Sequence, residues 1–175
     1  MTDKSAGGPP LEIERKFLIA YPDTAWLEAY PGAVRYEILQ TYLKSDPDEE
    51  IRVRARSEAG KATEYYRTVK KTVTGMKRIE LETVLSEDAY RAQLALADPA
   101  RLPVRKTRWK IPYAGHMIEI DLYPFLSDRA IAEIELARED EEFFFPPELR
   151  VLREVTEDRR YSNHSLAGAI PPEDI

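Results

Sequence analysis

The 175-residue chain contains no cysteine, which excludes disulfide bonds, zinc–thiolate sites and thiol nucleophiles. This lack fits a reducing compartment. No stretch approaches the roughly 20 apolar residues of a membrane-spanning helix, and residues 1–16 lack the apolar core of a signal peptide. A Walker-type glycine loop is also absent, so a P-loop mechanism is unsupported. We therefore expect a cytoplasmic protein without a membrane partner.

The balance of charge limits the classes of partner. The net charge of -6 disfavours a protein that coats nucleic acid, so no nucleic-acid partner is expected. It does not exclude a small anionic ligand held inside the fold. The length predicts one domain, which we place at residues 11–170, after a Gly- and Pro-rich segment, residues 1–10, that we expect to be disordered.

Alternation of apolar and polar residues predicts an α+β fold dominated by strands, because strand side chains point to opposite faces in turn. Roughly eight strands are enough to close a barrel without edges. The predicted strands are Leu11–Ala20, Tyr36–Leu43, Ile51–Arg56, Thr63–Lys71, Lys77–Leu85, Val104–Pro112, Met117–Tyr123 and Ala130–Ala137. Helices are predicted at Pro22–Tyr30, from the cap Ser86 to Ala97, at Arg138–Phe145 and briefly within residues 153–167.

Charged residues of one sign share single strand faces. In the first strand, Glu12, Glu14 and Lys16 lie on one face, opposite a mostly apolar face. Like charges this close repel unless a cation lies between them, and hard divalent cations prefer oxygen ligands. The other acidic faces carry Glu80, Glu82, Glu119, Asp121, Glu133 and Glu135, and the basic ones carry Arg52, Arg54, Arg56, Lys106 and Arg108, with Lys70 and Arg78 as further cations.

Two interpretations of these faces are open. The sheet has one solvated face joined by cross-strand ion pairs, or it closes with the charged faces inward. In the second case the interior is a polar tunnel whose charges need counter-ions. A divalent metal together with a polyanion would supply them, with carboxylates on the metal and Arg and Lys on phosphate oxygens.

The sequence Glu-Ile-Glu-Arg-Lys of the first strand resembles the E-x-E-x-K signature of the CYTH superfamily, the triphosphate tunnel metalloenzymes. The resemblance covers nearly the whole chain and is greatest to small bacterial inorganic triphosphatases. It implies an eight-stranded antiparallel β-barrel that forms a tunnel, with a few peripheral helices. The further motifs, in matching order, are QTYL, IRVRAR, TVK, GMKRIELE, RKTRW, the H-x-x-E-x-D of residues 116–121, AEIEL and EVTEDRRYSN.

The resemblance also implies residue roles. Mg²⁺ or Mn²⁺ is expected on Glu12, Glu14, Glu133 and Glu135, with Glu80, Glu82, Glu119 and Asp121 as further ligands or orienting groups. Lys16, Arg52, Arg54, Lys70, Lys106 and Arg108 form the implied phosphate clamp. Arg78 either joins the clamp or neutralises Glu80. Tyr42 is expected to pair with Lys16 as a proton acceptor of lowered pKa, and Lys70 completes the catalytic set.

The activity implied by the resemblance is metal-dependent hydrolysis of inorganic tripolyphosphate to pyrophosphate and phosphate. Alternatives on the same scaffold are a class IV-like adenylate cyclase and a nucleoside or thiamine triphosphatase. A non-catalytic polyphosphate-binding module is a further alternative, which the complete acidic set disfavours. A homodimer through the apolar exterior is possible on this interpretation. Residues 158–160 either cover the tunnel mouth or cap a terminal helix.

Overall fold

The fold comes from a computed structural model that describes residues 11–74 and 76–173. The predicted disordered segment, residues 1–10, lies outside the described residues. The placement of one domain at residues 11–170 stays a prediction.

Nine strands form one antiparallel sheet within the described residues. All eight predicted strands are present, with bounds that differ from the prediction by at most two residues. The ninth strand was not predicted. The strands are β1 (Leu11–Ala20), β2 (Val34–Leu43), β3 (Glu49–Glu58), β4 (Glu64–Thr72), β5 (Lys77–Leu85), β6 (Val104–Tyr113), β7 (His116–Leu122), β8 (Arg129–Leu136) and β9 (Val151–Glu154).

The first eight strands close into a barrel. Their order is β5-β4-β3-β2-β6-β7-β8-β1, and β1 returns to β5 through pairs such as Leu11 with Ile79. Closure satisfies backbone groups that an open sheet would leave exposed at its edges. The predicted eight-stranded antiparallel barrel is therefore confirmed.

Strand β1 has more than two neighbours. Residues 13–20 pair with β8 along one edge. On the other edge, Leu11–Ile13 pair with β5, and Phe17–Ile19 pair with the short strand β9, with a register shift between Leu18 and Ile19. Strand β9 thus continues the pairing where β5 diverges, and it leads the chain towards the barrel end.

The helices lie outside the barrel wall. Asp23 caps α1 (Thr24–Ala29), and Ser86 caps α2 (Glu87–Gln93), as its sequence predicts. A 3₁₀ turn, Leu94–Leu96, extends α2, and α3 (Asn163–Leu166) follows near the end of the chain. Within the described part of the chain, no helix combines the length and apolarity needed to cross a membrane.

The predicted helix at Arg138–Phe145 is wrong. The segment is a turn followed by chain without regular secondary structure. The Glu141 carboxylate accepts hydrogen bonds from the Ala137 amide at 2.5 Å and from His116 Nε2 at 2.9 Å. Phe143 and Phe145 both pack on Phe17, with ring centroids 5.5 and 5.0 Å away. Contacts from alternate residues require an extended chain, and this tertiary packing overrides local helix propensity.

Most of the hydrophobic core lies outside the barrel. The outward faces of β1, β6, β7 and β8 form one cluster that α1 covers through Leu27 and that Leu149 of a later loop also contacts. A second cluster under α2 contains Val53 and Tyr90. The apolar faces of the strands are thereby buried away from the charged interior.

The C-terminal segment, residues 155–167, covers one end of the barrel. Its Val155, Tyr161 and Leu166 pack with Leu18 and with Tyr42 at the end of β2. Tyr161 is fully buried there. This segment therefore closes one mouth of the barrel with side chains from outside the eight-stranded ring.

Two leucine substitutions test this description of the core. Leu18 is 1% exposed and Leu81, on β5, is 55% exposed. We expect Leu18→Ala to lower the free energy of unfolding by about 2–5 kcal/mol, because it removes buried methyl groups and leaves a cavity. Leu81→Ala should cost less than about 1 kcal/mol. Urea unfolding at constant m-value measures both, and equal losses would contradict the assignment.

Candidate active site

The barrel encloses a cavity of about 1140 Å³ with charged walls. The even-numbered residues of β1 face it, so Glu12, Glu14 and Lys16 lie inside, as the alternation predicts. The lining includes six of the predicted carboxylates, Glu12, Glu14, Glu80, Glu82, Glu119 and Glu133, and six of the predicted cations, Lys16, Arg52, Arg54, Lys70, Arg78 and Arg108.

Asp121 and Lys106 lie behind this wall. Asp121 is fully buried and accepts hydrogen bonds from Arg108 Nε at 2.6 Å, Arg108 Nη2 at 2.8 Å and Lys106 Nζ at 2.7 Å. Burial opposes ionisation, but Arg108 and Lys106 lower the pKa of Asp121. Burial and the neighbouring Arg108 lower the pKa of Lys106 to about 7. Neither residue lines the cavity, and the pair orients Arg108, which does.

Glu135 is exposed and does not line the cavity. It is the penultimate residue of β8, so its side chain lies at the rim of the barrel in solvent. Glu133, two residues earlier on the same face, is buried inside. Glu133 therefore lies inside the barrel and Glu135 lies at its rim, so we leave Glu135 out of the proposed metal site.

Tyr42 does not form the predicted pair with Lys16. Its hydroxyl accepts a hydrogen bond from Gln40 Nε2 at 3.0 Å, and its ring packs on His164. Lys16 Nζ instead lies 3.3 Å from Glu133 Oε1 and 3.4 Å from the Tyr161 carbonyl oxygen. Burial raises the pKa of Tyr42, so the predicted lowering is wrong because desolvation outweighs nearby cations.

Most cations of the wall are paired with carboxylates across the barrel. Arg78 Nη1 lies 3.1 Å from Glu14 Oε1, so it neutralises Glu14 rather than Glu80. Arg54 Nη2 lies 2.8 Å from Glu82 Oε2, and Arg108 Nη1 lies 2.5 Å from Glu119 Oε2. An anion that enters the tunnel must therefore compete with resident carboxylates for these cations.

Arg52 is the exception inside the barrel. It is 5% exposed, its Nε is buried without a hydrogen bond, and no carboxylate among residues 11–74 and 76–173 forms a salt bridge with it. Burial and the nearby Arg52 guanidinium lower the pKa of Arg54 to about 10. Two neighbouring guanidinium groups that together have one carboxylate partner carry a net positive charge, which favours an incoming anion.

Glu12 and Glu80 approach each other closely enough to share a proton. Burial and the contact with Glu80 raise the pKa of Glu12 to about 9. Burial opposes ionisation of Glu80, but the contact with Glu12 and the charge of Lys70 lower the pKa of Glu80 to about 2. The ammonium of Lys70 lies 2.8 Å from Glu80 Oε2 and 3.7 Å from Glu12 Oε2. One cation already lies beside both carboxylates.

These two carboxylates fit a Mg²⁺ ion. Oε2 of Glu12 and Oε2 of Glu80 are buried and lack a hydrogen bond of normal geometry within the described part of the chain. Among the same residues, no three Asp, Glu, His or Cys side chains converge as a complete metal site. Mg²⁺ commonly takes one or two carboxylates and completes its shell with water and substrate phosphates. The donor set therefore suits a metal that binds together with an anion.

The cavity includes residues that sequence analysis did not assign to the site. They come from the β2–β3 loop, β3, the end of β4 and the turn after it, β6 and the C-terminal segment, and the motif EVTEDRRYSN was the available signal for the last of these. Asp158 both lines the cavity and caps the 3₁₀ turn Arg159–Tyr161, so both alternatives for residues 158–160 hold in part. The added lining residues are Asp48, Glu49, Glu50, Arg56, Thr72, Thr74, Lys110, Thr156, Glu157, Arg159, Ser162, Asn163, His164 and Ser165.

Comparison with known proteins gives consistent relatives. The family model of the CYTH domain matches residues 10–167. An inorganic triphosphatase of Nitrosomonas europaea is 36% identical over 164 residues, which are 91% of this chain and 99% of that protein. An inorganic triphosphatase of Acetivibrio thermocellus is 34% identical over 160 residues, covering 89% and 92%.

Solved structures show the same architecture. A crystal structure of an inorganic triphosphatase matches with a TM-score of 0.59 and 32% identity over 95% of this chain and 100% of that one. A protein of Pyrococcus horikoshii matches with a TM-score of 0.54 over 74% of this chain and 80% of that one. The identity to the second is 22%, so it supports the fold alone.

The proton shared by Glu12 and Glu80 predicts a pH dependence of stability without metal. A carboxyl whose pKa rises from 4.5 to about 9 on folding stabilises the protein fully below pH 4.5 and progressively less as the pH rises towards 9. Glu12→Gln lacks this titration. Its free energy of unfolding, relative to wild type, should therefore rise with pH across that range, by at most about 1.4 kcal/mol per pH unit.

Denaturant unfolding at several pH values in the presence of a chelator measures this difference. Glu135→Gln, which changes an exposed glutamate on the same sheet, is the matched control and should follow the wild-type curve. A difference between Glu12→Gln and wild type that does not vary with pH would refute the shared proton.

Proposed function

The chain belongs to the CYTH domain family, and from this premise we propose that it hydrolyses inorganic tripolyphosphate to pyrophosphate and phosphate inside its tunnel. Both curated relatives named above, each over 30% identical across about nine-tenths of the chain, are inorganic triphosphatases. Their matches extend over nearly their whole lengths, so the proposal concerns a complete tunnel domain.

The chemistry of the tunnel wall is the observation that supports this choice of substrate. Within the described part of the chain, no Phe, Tyr or Trp lines the cavity, and the wall consists mostly of ionised side chains. Recognition of a nucleobase or a thiazolium ring usually uses aromatic or apolar surface beside the phosphates. A wall that lacks Phe, Tyr and Trp among the described residues, and whose apolar residues are Pro47, Val73 and Val155, favours an all-inorganic substrate over ATP or thiamine triphosphate.

The cations of the wall bind and orient the phosphate chain in this proposal. Arg52 is available without breaking an ion pair, and its planar guanidinium suits two phosphate oxygens at once. Lys16 and Arg108 are held by Glu133 and Asp121 and stabilise charge on the phosphoryl oxygens and the leaving group. Positioning and charge stabilisation are most of what phosphoryl-transfer catalysis requires.

We also propose that Mg²⁺ or Mn²⁺ serves as cofactor, held by Glu12 and Glu80 together with substrate oxygens. The residues that line the cavity include more carboxylates than Lys and Arg side chains, so an anion gains from an added cation. When bound, the metal neutralises phosphate charge and supplies a polarised water. Lys70 lies beside both carboxylates, so it compensates their charge in this structure and would be released to contact phosphate oxygens if a metal took over that role.

The substrate partner in this proposal is a small anion, and no nucleic acid or membrane partner is invoked. Supporting this, the cationic side chains that line the tunnel lie inside the barrel rather than on an outer face. The cytoplasmic location and the homodimer stay predictions.

Phosphate release from tripolyphosphate, measured beside ATP, tests the proposal. We expect release that requires Mg²⁺ or Mn²⁺, stops on addition of a chelator and resumes when metal is restored. Release from ATP should be at least about tenfold slower, because no Phe, Tyr or Trp of the described residues lines the cavity to hold the adenine. Cyclic AMP formed from ATP, with no phosphate from tripolyphosphate, would instead show a cyclase. Metal-supported binding without turnover would show a polyphosphate-binding module.

Substitution of single tunnel cations tests their roles. Lys16→Ala and Arg52→Ala should each lower kcat/KM for tripolyphosphate by about 100-fold or more, the usual cost of removing one group that stabilises developing charge. Lys61→Ala, in the exposed β3–β4 turn, removes a lysine outside the tunnel and should retain wild-type activity. Thermal melting of each variant separates lost chemistry from lost structure. Near-normal activity of both tunnel variants would contradict the assignment.

A further inference from the structure

The C-terminal segment presents two consecutive arginines, and the structure gives them different surroundings. Arg160 is held by Asp158, which accepts hydrogen bonds from the Arg160 amide at 3.2 Å, from Nε at 2.9 Å and from Nη2 at 2.7 Å. Asp158 also accepts a hydrogen bond from Arg153 Nη2 at 3.1 Å. This carboxylate therefore fixes Arg160 away from the cavity, which Arg160 does not line.

Arg159 lines the tunnel cavity and is exposed to solvent there. No salt bridge or side-chain hydrogen bond joins it to any residue in the ranges 11–74 and 76–173. Within those ranges, Arg52 is the other Lys or Arg of the cavity wall without a carboxylate partner. Of these two guanidinium groups, Arg52 lies on the barrel wall and Arg159 lies on the segment that covers the barrel end.

Three hydrogen bonds with Lys16 fix the backbone on both sides of Arg159. The Lys16 amide donates to Thr156 Oγ1 at 3.0 Å, and the Val155 amide donates to the Lys16 carbonyl at 2.8 Å. On the far side of Arg159, the carbonyl oxygen of the fully buried Tyr161 accepts from Lys16 Nζ at 3.4 Å. Arg159 therefore projects from a short turn held at both ends to the strand that carries the E-x-E-x-K motif.

We propose that Arg159 contacts a phosphoryl group of the bound triphosphate, so that the C-terminal segment completes the anion-binding site from outside the barrel. This inference rests on the proposed function. A guanidinium without a resident partner gains a bidentate phosphate contact and gives up no ion pair in exchange. Because Arg159 is exposed, salt screens the contact, and its contribution falls as ionic strength rises.

The test compares Arg159→Ala with its neighbour, Arg160→Ala, in the full-length protein. Both variants remove one exposed guanidinium, but only Arg159 lines the tunnel. For tripolyphosphate with saturating Mg²⁺, Arg159→Ala should raise KM by about three- to tenfold at low salt with little change in kcat. The rise should shrink at high salt, and Arg159→Lys should recover part of the loss. Arg160→Ala should keep the wild-type KM.

A binding measurement provides a readout independent of turnover. Calorimetric titration of tripolyphosphate into the protein with a chelator present should show weaker binding to Arg159→Ala than to Arg160→Ala. An unchanged KM and affinity in Arg159→Ala, or an equal loss in both variants, would overturn the inference. If wild type itself neither hydrolyses nor binds tripolyphosphate, the proposed function fails as well. If wild type does both and Arg159→Ala matches it, the inference about Arg159 alone fails.

Discussion

Charge compensation inside a closed barrel is the constraint on which the rest of the structure depends. A buried carboxylate without a partner is strongly destabilising, so each inward acidic residue needs a cation across the sheet. The register supplies it, since Lys70 lies opposite Glu80 and Arg108 lies opposite Asp121. Lys16 likewise lies opposite Glu133 where β1 meets β8. The sequence therefore places opposite charges on neighbouring strands at these positions, whereas β7 and β8 are both acidic, with Glu119 opposite Glu133.

The polar interior determines where the hydrophobic core lies. Apolar residues occupy the outward faces of the strands, and α1, α2 and the Phe143–Phe145 segment cover them. The barrel end has a cover of its own, because Tyr161 and Leu166 of the C-terminal segment pack on Tyr42. The same segment brings polar side chains to the tunnel, so one stretch of chain both covers the barrel end and completes the lining of the site.

The alternation of residues predicted the strands well, because each strand has one apolar and one charged face. It did not predict closure, since a solvated sheet face shows the same pattern, and closure depends on distant pairs such as Leu11 with Ile79. The alternation also does not show how deep in the barrel each inward side chain lies. Glu119 and Asp121 share one face, yet only Glu119 lines the cavity, and Asp121 is enclosed by Arg108 and Lys106. The helix predicted at residues 138–145 was wrong because the conformation of this segment depends on distant contacts, namely its packing on Phe17.

The cross-barrel ion pairs also make the tunnel selective among the anions of ordinary salt solutions. A chloride ion that binds to Arg78 or Arg54 must displace a carboxylate, and its single negative charge replaces the single negative charge of that carboxylate. A ligand with several negative charges on adjacent atoms can engage several cations in a single step. At these paired cations the resident glutamates thus act as internal competitors that favour a condensed polyanion over monovalent anions.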